Sequence, residues 1–198
     1  MYSDFLENSL GEKNCLDSYY FFPKGFSEEE IDKITSYEKD SLISTKEGTT
    51  FSGNSDDEVR KSEVGWIPHN QQFHWMYERM GRMVAEANDK MWNFHLAGMS
   101  EQIQYAVYQP NGGHYNWHMD MGRGKYSKRK VTITTQLTDP DEYEGGDLQL
   151  KIGTGEQLIP KGKGMTIIFP SYLLHKVTPV AKGHRRSLAL WITGPPLK

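Results

Sequence analysis

The pattern of apolar and polar positions changes period once along the chain, near Gly98. Before that point the signals are mainly helical. Ser27-Glu28-Glu29-Glu30 has the form of a capping box, a hydroxyl at the N-cap with a glutamate three residues on, and the helix it opens carries Ile31, Ile34 and Tyr37 on one face. A second helix is predicted from about Gln71 to Phe94. Its Met76, Met80, Met83, Val84, Ala87 and Met91 recur at three- and four-residue spacings and form an apolar stripe, and core packing explains those methionines better than metal binding. Tyr19–Phe22 reads as a short strand. Residues 44–62 are poor in apolar side chains and rich in Ser, Thr, Gly, Asp and Glu, and read as a mobile surface loop and candidate lid. After Gly98 the period is two: Ile103–Tyr108, Lys130–Thr138, Leu148–Ile152, Met165–Phe169 and Ser187–Ile192 read as strands, punctuated by Gly, Pro, Asn and Asp. Helices followed by many short strands predict an α+β fold, a β-sandwich or barrel with helices packed outside.

Composition narrows the class. The chain has 198 residues, the size of one domain, so 1–198 is read as a single unit with 1–100 mainly helical support and lid and 101–198 the strand-rich core. The formal charge of −3 argues against a general nucleic-acid binder, and the 12% aromatic content argues against disorder. Cys15 is the single cysteine, which excludes an intramolecular disulfide and a zinc ribbon and is read as inert. The start, Met1–Glu7, lacks the basic region of a signal peptide, no apolar run reaches membrane-spanning length, and the end carries no lipidation motif. The expectation is a soluble, cytoplasmic protein without a membrane partner.

The chemistry concentrates in Tyr108-Gln-Pro-Asn-Gly-Gly-His114-Tyr-Asn-Trp117-His118-Met-Asp120. In an extended segment His118 and Asp120 point to one side and can grip one metal ion. His175, after Phe169–Leu174, offers a third ligand. Two imidazoles and one carboxylate on one face leave three positions open, which suits non-haem Fe(II) binding a co-substrate and O₂. Each histidine taken singly would be an ordinary hydrogen-bonded side chain; the set is what carries weight. Ten residues past His175 stands Arg185, whose planar fork matches a carboxylate. Arg185 and Arg186 face opposite sides of any strand. Arg185 shares a face with Ser187, Ala189 and Trp191, and Arg186 shares the more aliphatic face with Leu188, Leu190 and Ile192, so periodicity does not choose between them.

The region from about 103 to 193 resembles an Fe(II)/2-oxoglutarate-dependent dioxygenase of the prolyl 4-hydroxylase branch. The resemblance is carried by Tyr108 and a Gly-rich turn before His118-Met-Asp120, by Gly145-Gly-Asp147-Leu148, by His175-Lys-Val-Thr-Pro-Val and by Gly183-His-Arg185-Arg-Ser187, in that order. Phe26–Ile31 is similar to the helix start before the barrel of that family. The resemblance implies a double-stranded β-helix (jelly-roll) core with N-terminal helices on one side. It implies Fe(II) held by His118, Asp120 and His175, 2-oxoglutarate paired with Arg185, O₂ as oxidant and ascorbate as a stimulant. Succinate and CO₂ would be released as an unactivated C–H bond is hydroxylated. Tyr108 is expected to reach the co-substrate. Where the family often has a second Tyr, this chain offers Thr134 or Gln136; Ser187 is either an assistant to Arg185 or a small strand residue.

Prolyl residues of a peptide or protein are the expected substrates, with a free amino acid or small molecule as the alternative. Trp117 is expected as a pocket wall, and Arg60 and Trp66 as substrate contacts by similarity of Arg60–Trp66 to a substrate-side segment. Arg123–Lys130, with five basic residues in eight positions, is read as a solvated loop near the mouth that could attract an acidic substrate, Arg129 among its contacts. His114 is read as a turn residue or substrate contact, and His184 as exposed. A nucleic-acid demethylase of the alkylation-repair type is disfavoured because Trp191 stands where that relative has a second Arg. A non-enzymatic cupin-like metal-binding module is the rival of another class, and a zinc hydrolase ranks last for want of a positioned base.

Overall fold

The computed structural model describes residues 18–49 and 56–196. Cys15, the N-terminal segment and residues 50–55 of the polar segment lie outside the described residues.

Helix α1 (Glu28–Lys39) starts where the capping box places it. The Ser27 hydroxyl accepts from the Glu30 N–H, and the Glu30 carboxylate accepts from the Ser27 N–H at 2.9 Å. Ile31, Ile34 and Tyr37 are its buried face. Helix α2 (His74–Met91) begins three residues later than its periodicity suggests, and buries Met76, Tyr77, Met80, Met83, Val84 and Ala87. Its N-cap is Phe73, which offers no capping side chain; Asn70 Oδ1 accepts from the Phe73 N–H instead.

Among the described residues, fourteen strands make two antiparallel sheets. The larger contains β1 (Tyr20–Phe22), β2 (Lys46–Glu47), β4 (Glu63–Ile67), β5 (Gly98–Met99), β6 (Ile103–Tyr108), β8 (Arg129–Gln136), β12 (Thr166–Pro170) and β14 (Arg185–Thr193). Their order is β1-β12-β8-β14-β6-β4-β2, with β5 beside β14. The smaller contains β3 (Arg60–Lys61), β7 (Gly113–His118), β9 (Glu144–Gly145), β10 (Leu148–Ile152), β11 (Gly155–Leu158) and β13 (His175–Lys182), in the order β11-β10-β13-β7-β3 with β9 on β13. This is a jelly-roll core.

Alternation along the central strands sorts their side chains. Tyr105 and Val107 of β6, Val131 and Ile133 of β8, and Leu188, Leu190 and Ile192 of β14 face outward and pack with α1 and α2 in the main core. Each such buried side chain contributes about 1.5–3 kcal/mol of transfer free energy. The opposite positions, Ala106, Thr132, Thr134, Ser187 and Ala189, face inward and line a cavity closed on its other side by the smaller sheet.

Two expectations need correction. The first hundred residues are more than helical support: β4 joins β6 in the larger sheet, β2 extends it, and β3 pairs with β7. These strands are two to five residues long, too short to show a period, and only pairing fixes them. The ends of the 44–62 segment are therefore anchored, with Arg60 and Ser62 buried. Strand β13 is also absent from the sequence reading. Pro179 and the two lysines Lys176 and Lys182 mask it, and the proline falls where the ladder with β7 is irregular.

Among the described residues no helix is long and apolar enough to cross a membrane.

Candidate active site

His118 ends β7, His175 opens β13, and the two are register partners across the smaller sheet. Asp120 lies just past the end of β7, its N–H donating to Ser171 O at 3.0 Å. The ladder is irregular between His175 and Val177, where β7 carries one extra residue. That bulge turns both Tyr115 and His118 toward the cavity. The ligand atoms of His118, Asp120 and His175 lie within 4.8 Å of one another, and the three can hold a metal ion. His118 Nε2 is 3.8 Å and His175 Nε2 3.4 Å from the Asp120 carboxylate.

Backbone carbonyls prepare the tautomers. His118 Nδ1 lies 2.7 Å from Asn116 O, and His175 Nδ1 2.9 Å from Leu173 O. A carbonyl only accepts, so each Nδ1 carries the proton and each Nε2 presents its lone pair to the site. Burial holds the His118 imidazole down to about 3, with His175 adding to the effect, so it stays a neutral ligand. Burial raises the Asp120 carboxyl, but the histidine and Arg129 side chains around it outweigh that and hold it below its usual range. Thr132 Oγ1 donates to Asp120 Oδ2 at 2.8 Å and is itself 2.9 Å from Ser171 Oγ. Tyr115 stacks on the His118 ring at 3.4 Å between centroids. Two imidazoles, each with Nε2 toward the site, and a carboxylate on one side of an open cavity fit Fe(II).

Deeper in the barrel, β14 settles the choice between the paired arginines. Arg186 points outward, its Nε donating to Glu38 Oε2 of α1 at 2.8 Å, and Tyr105 donates to the same oxygen. Arg185 points into the cavity and is 4% exposed. Its Nη1 donates to Ser187 Oγ at 3.2 Å, its guanidinium lies 5.1 Å from the Tyr108 ring, and its Nε has no partner among the described residues. The Tyr143 hydroxyl lines the same floor, is buried and is likewise without a partner. Burial pushes the Tyr143 phenol up, against the lowering pull of Arg185, so it remains a protonated donor. Two buried orphan donors, one of them cationic, on one wall fit a carboxylate. Lys161, on the same floor, is already compensated by Asp147 at 2.7 Å and Gly145 O at 2.5 Å.

Residues 103–193 match the family model of the 2OG-Fe(II) oxygenase superfamily. The match spans a little under half of the chain and includes all three metal-ligand candidates and Arg185. The family's cofactors are Fe(II), 2-oxoglutarate and O₂. A PKHD-type hydroxylase of Teredinibacter turnerae is 32% identical over 109 residues, 50% of this chain and 48% of that one. The chain spans about half the length of the curated relatives it matches. Among solved structures, a Trichoplax adhaerens prolyl hydroxylase in complex with a hypoxia inducible factor peptide fragment superposes with a TM-score of 0.74 at 17% identity, over 97% of this chain and 89% of that one. A Pseudomonas putida prolyl-4-hydroxylase does so with a TM-score of 0.71 at 17% identity, over 95% and 96%. These two share the fold.

The remaining sequence-predicted residues fall in different places. Tyr108 lines the cavity beside Arg185. Gln136 lies on the floor, its amide donating to Thr138 O, and the Thr134 hydroxyl is spent on Leu188 O. Arg60, Trp66 and Arg129 meet Asp120 and Trp191 around one chamber above the metal ligands. Trp117 sits under Lys176 and Lys151 at 4.5 and 5.8 Å and is not among the residues lining either cavity. His114 faces the backbone carbonyls of Gly112 and Glu58, away from the ligand set. Sequence reasoning missed Tyr143, Thr132 and Gln104. Tyr143 had a signal, since it directly precedes Glu-Gly145-Gly146; the other two are ordinary strand positions.

Proposed function

We propose that this protein is an Fe(II)- and 2-oxoglutarate-dependent dioxygenase that hydroxylates an unactivated C–H bond, with a prolyl residue of a peptide or protein as its substrate. One observation carries the reading: an open His118–Asp120–His175 set shares its cavity with the buried, incompletely paired Arg185. The names of the relatives support hydroxylation, and the prolyl hydroxylases among the structural neighbours support the choice of substrate.

His118, Asp120 and His175 would hold Fe(II). Arg185, with Tyr143, would take the distal carboxylate of 2-oxoglutarate, and Ser187 would keep the guanidinium in its plane. When bound there, iron and 2-oxoglutarate would supply O₂ activation coupled to oxidative decarboxylation of the co-substrate to succinate and CO₂. The chain does the rest. Its Nδ1-to-carbonyl bonds fix the imidazoles, Thr132 orients the Asp120 carboxylate, and the apolar walls of Leu148, Phe169 and Val177 keep water from the cavity. Arg60, Trp66 and Arg129 form the wall a substrate would meet.

The test is anaerobic addition of Fe(II) and 2-oxoglutarate. A weak visible charge-transfer band is expected, absent in His175→Ala and Arg185→Gln. With O₂, succinate release should rise when proline-containing peptides are added. A folded, metal-binding protein with no band would leave a cupin-like metal module as the better description.

A further inference from the structure

Arg60 is a buried cation whose hydrogen-bond partners are all neutral. It is 5% exposed. Its Nε donates to Ser62 Oγ at 2.8 Å, its Nη2 to Gln104 Oε1 at 2.9 Å and its Nη1 to Thr49 O at 3.5 Å. Its guanidinium lies 4.6 Å from the centroid of the Tyr115 ring, and Tyr115 in turn stacks on the metal ligand His118. No carboxylate pairs with it among the described residues. Each terminal nitrogen has two N–H donors and uses one, so the guanidinium retains capacity toward the chamber it shares with Asp120, Trp66 and Trp191.

The contrast with the second arginine of that chamber is informative. Arg129 is clamped by both carboxylate oxygens of Glu101, at 2.6 and 2.5 Å. Two arginines thus flank one chamber; one is neutralised by a bidentate carboxylate and the other carries its charge into the space. Leaving a cation buried and unpaired is costly, and such a group is retained where a ligand completes it. The rim has the same sign. Tyr126 of the chamber wall sits in the turn Gly124–Lys128, and Arg123, Lys125 and Lys128 around it make no ion pair among the described residues. That field draws anions toward the mouth.

We infer that the substrate of this site bears a carboxylate that pairs with Arg60. The inference rests on the reading of the cavity as a hydroxylase active site and names the chemistry of what enters it. Two sources supply such a group: the α-carboxylate of a free or chain-terminal residue, or the side chain of an Asp or Glu next to the residue modified. Gln104 is the residue that leaves the charge open. A glutamate of the same size there would neutralise Arg60 from within.

The test is calorimetric titration of the anaerobic protein loaded with Fe(II) and 2-oxoglutarate, using matched acid and amide probes. N-acetyl-L-proline and N-acetyl-L-prolinamide represent the α-carboxylate. The blocked peptides Gly-Pro-Asp-Gly and Gly-Pro-Asn-Gly represent the side chain. In at least one pair the acid should bind about tenfold or more tightly than the amide, as a charge-assisted hydrogen bond requires. The pair that discriminates identifies the source. Arg60→Gln and the isosteric Gln104→Glu should each erase the difference, and Arg60→Lys should keep part of it; Gln104→Glu retains every hydrogen-bonding position if Arg60→Gln fails to fold. Equal binding of acid and amide in both pairs, or no saturable binding of either acid, overturns the inference. Arg60-dependent acid binding without stimulated succinate release would leave the inference standing and remove the prolyl reading. Turnover of acid and amide at equal rates would do the reverse.

Discussion

At the residue scale, hydroxyl groups that touch no metal decide how well the site is set. Thr132 gives Asp120 Oδ2 its donor in a buried position, so Thr132→Val leaves the carboxylate free to rotate and unbonded. Metal affinity should fall about 10- to 100-fold by titration, as expected for loss of an outer-shell partner, with the fold intact by circular dichroism. Tyr143 offers its only proton to the floor of the cavity. Tyr143→Phe should weaken 2-oxoglutarate binding by about 10- to 100-fold, the size of a hydrogen bond to a charged group, while metal binding is unchanged. Thr132 was invisible in the sequence, because a threonine in a strand gains meaning only from a neighbour far along the chain, whereas Tyr143 was marked only by the glycine pair that follows it. His118, Asp120, His175 and Arg185 could be read because three residue types with one chemistry recur at workable spacings.

At the element scale, two short motifs act through backbone geometry. Gly145 and Gly146 have φ of +80° and +60°, and a Cβ on Gly145 would sit 2.1 Å from Pro179 O. A Cβ on Gly146 would sit 2.8 Å from Arg185 Cδ and 3.1 Å from Tyr143 Cε2. The paired glycines are therefore part of how the arginine and tyrosine are seated. Gly146→Ala should weaken 2-oxoglutarate binding by tenfold or more while leaving the metal site competent for Zn(II) or Fe(II), measured on the same preparation. The capping box acts only on stability. Ser27→Ala removes the acceptor for the Glu30 N–H and should cost about 1 kcal/mol, seen as a fall in Tm of about 2–4 °C with no change in ligand binding. Element faces were only half legible. The alternation in Arg185–Trp191 gave the two faces of β14, and it took the Arg186–Glu38 pair to show that the aliphatic face turns to the helices.

At the scale of the whole molecule, the metal ligands, the Arg185 floor and the Arg60 chamber adjoin one another and share lining residues from both sheets, so filling them should stabilise the entire fold. A redox-inert Zn(II) ion with 2-oxoglutarate, at about 100 times their dissociation constants, should add about 2.7 kcal/mol per saturated site and raise Tm by several degrees. Thermal scans of His118→Ala with the same additions should show little or none of that rise. The sequence by itself determined what is local and periodic. It gave the capping box, the two amphipathic helices, the longer alternating strands, and a ligand set whose members sit near strand ends at fixed spacings. Their chemistry depends on residue type, and their placement on a period of two or 3.6, both of which are written in neighbouring residues. Tertiary structure alone decided the short strands β2, β3 and β4, the proline-interrupted β13, which arginine faces inward, and the company of Arg60. Those outcomes depend on hydrogen bonds and charge pairs between separate segments of the chain, such as Arg60 with Gln104 and Glu38 with Arg186. No local pattern encodes such a pairing, because the free energy that selects it exists only once the two sheets have closed.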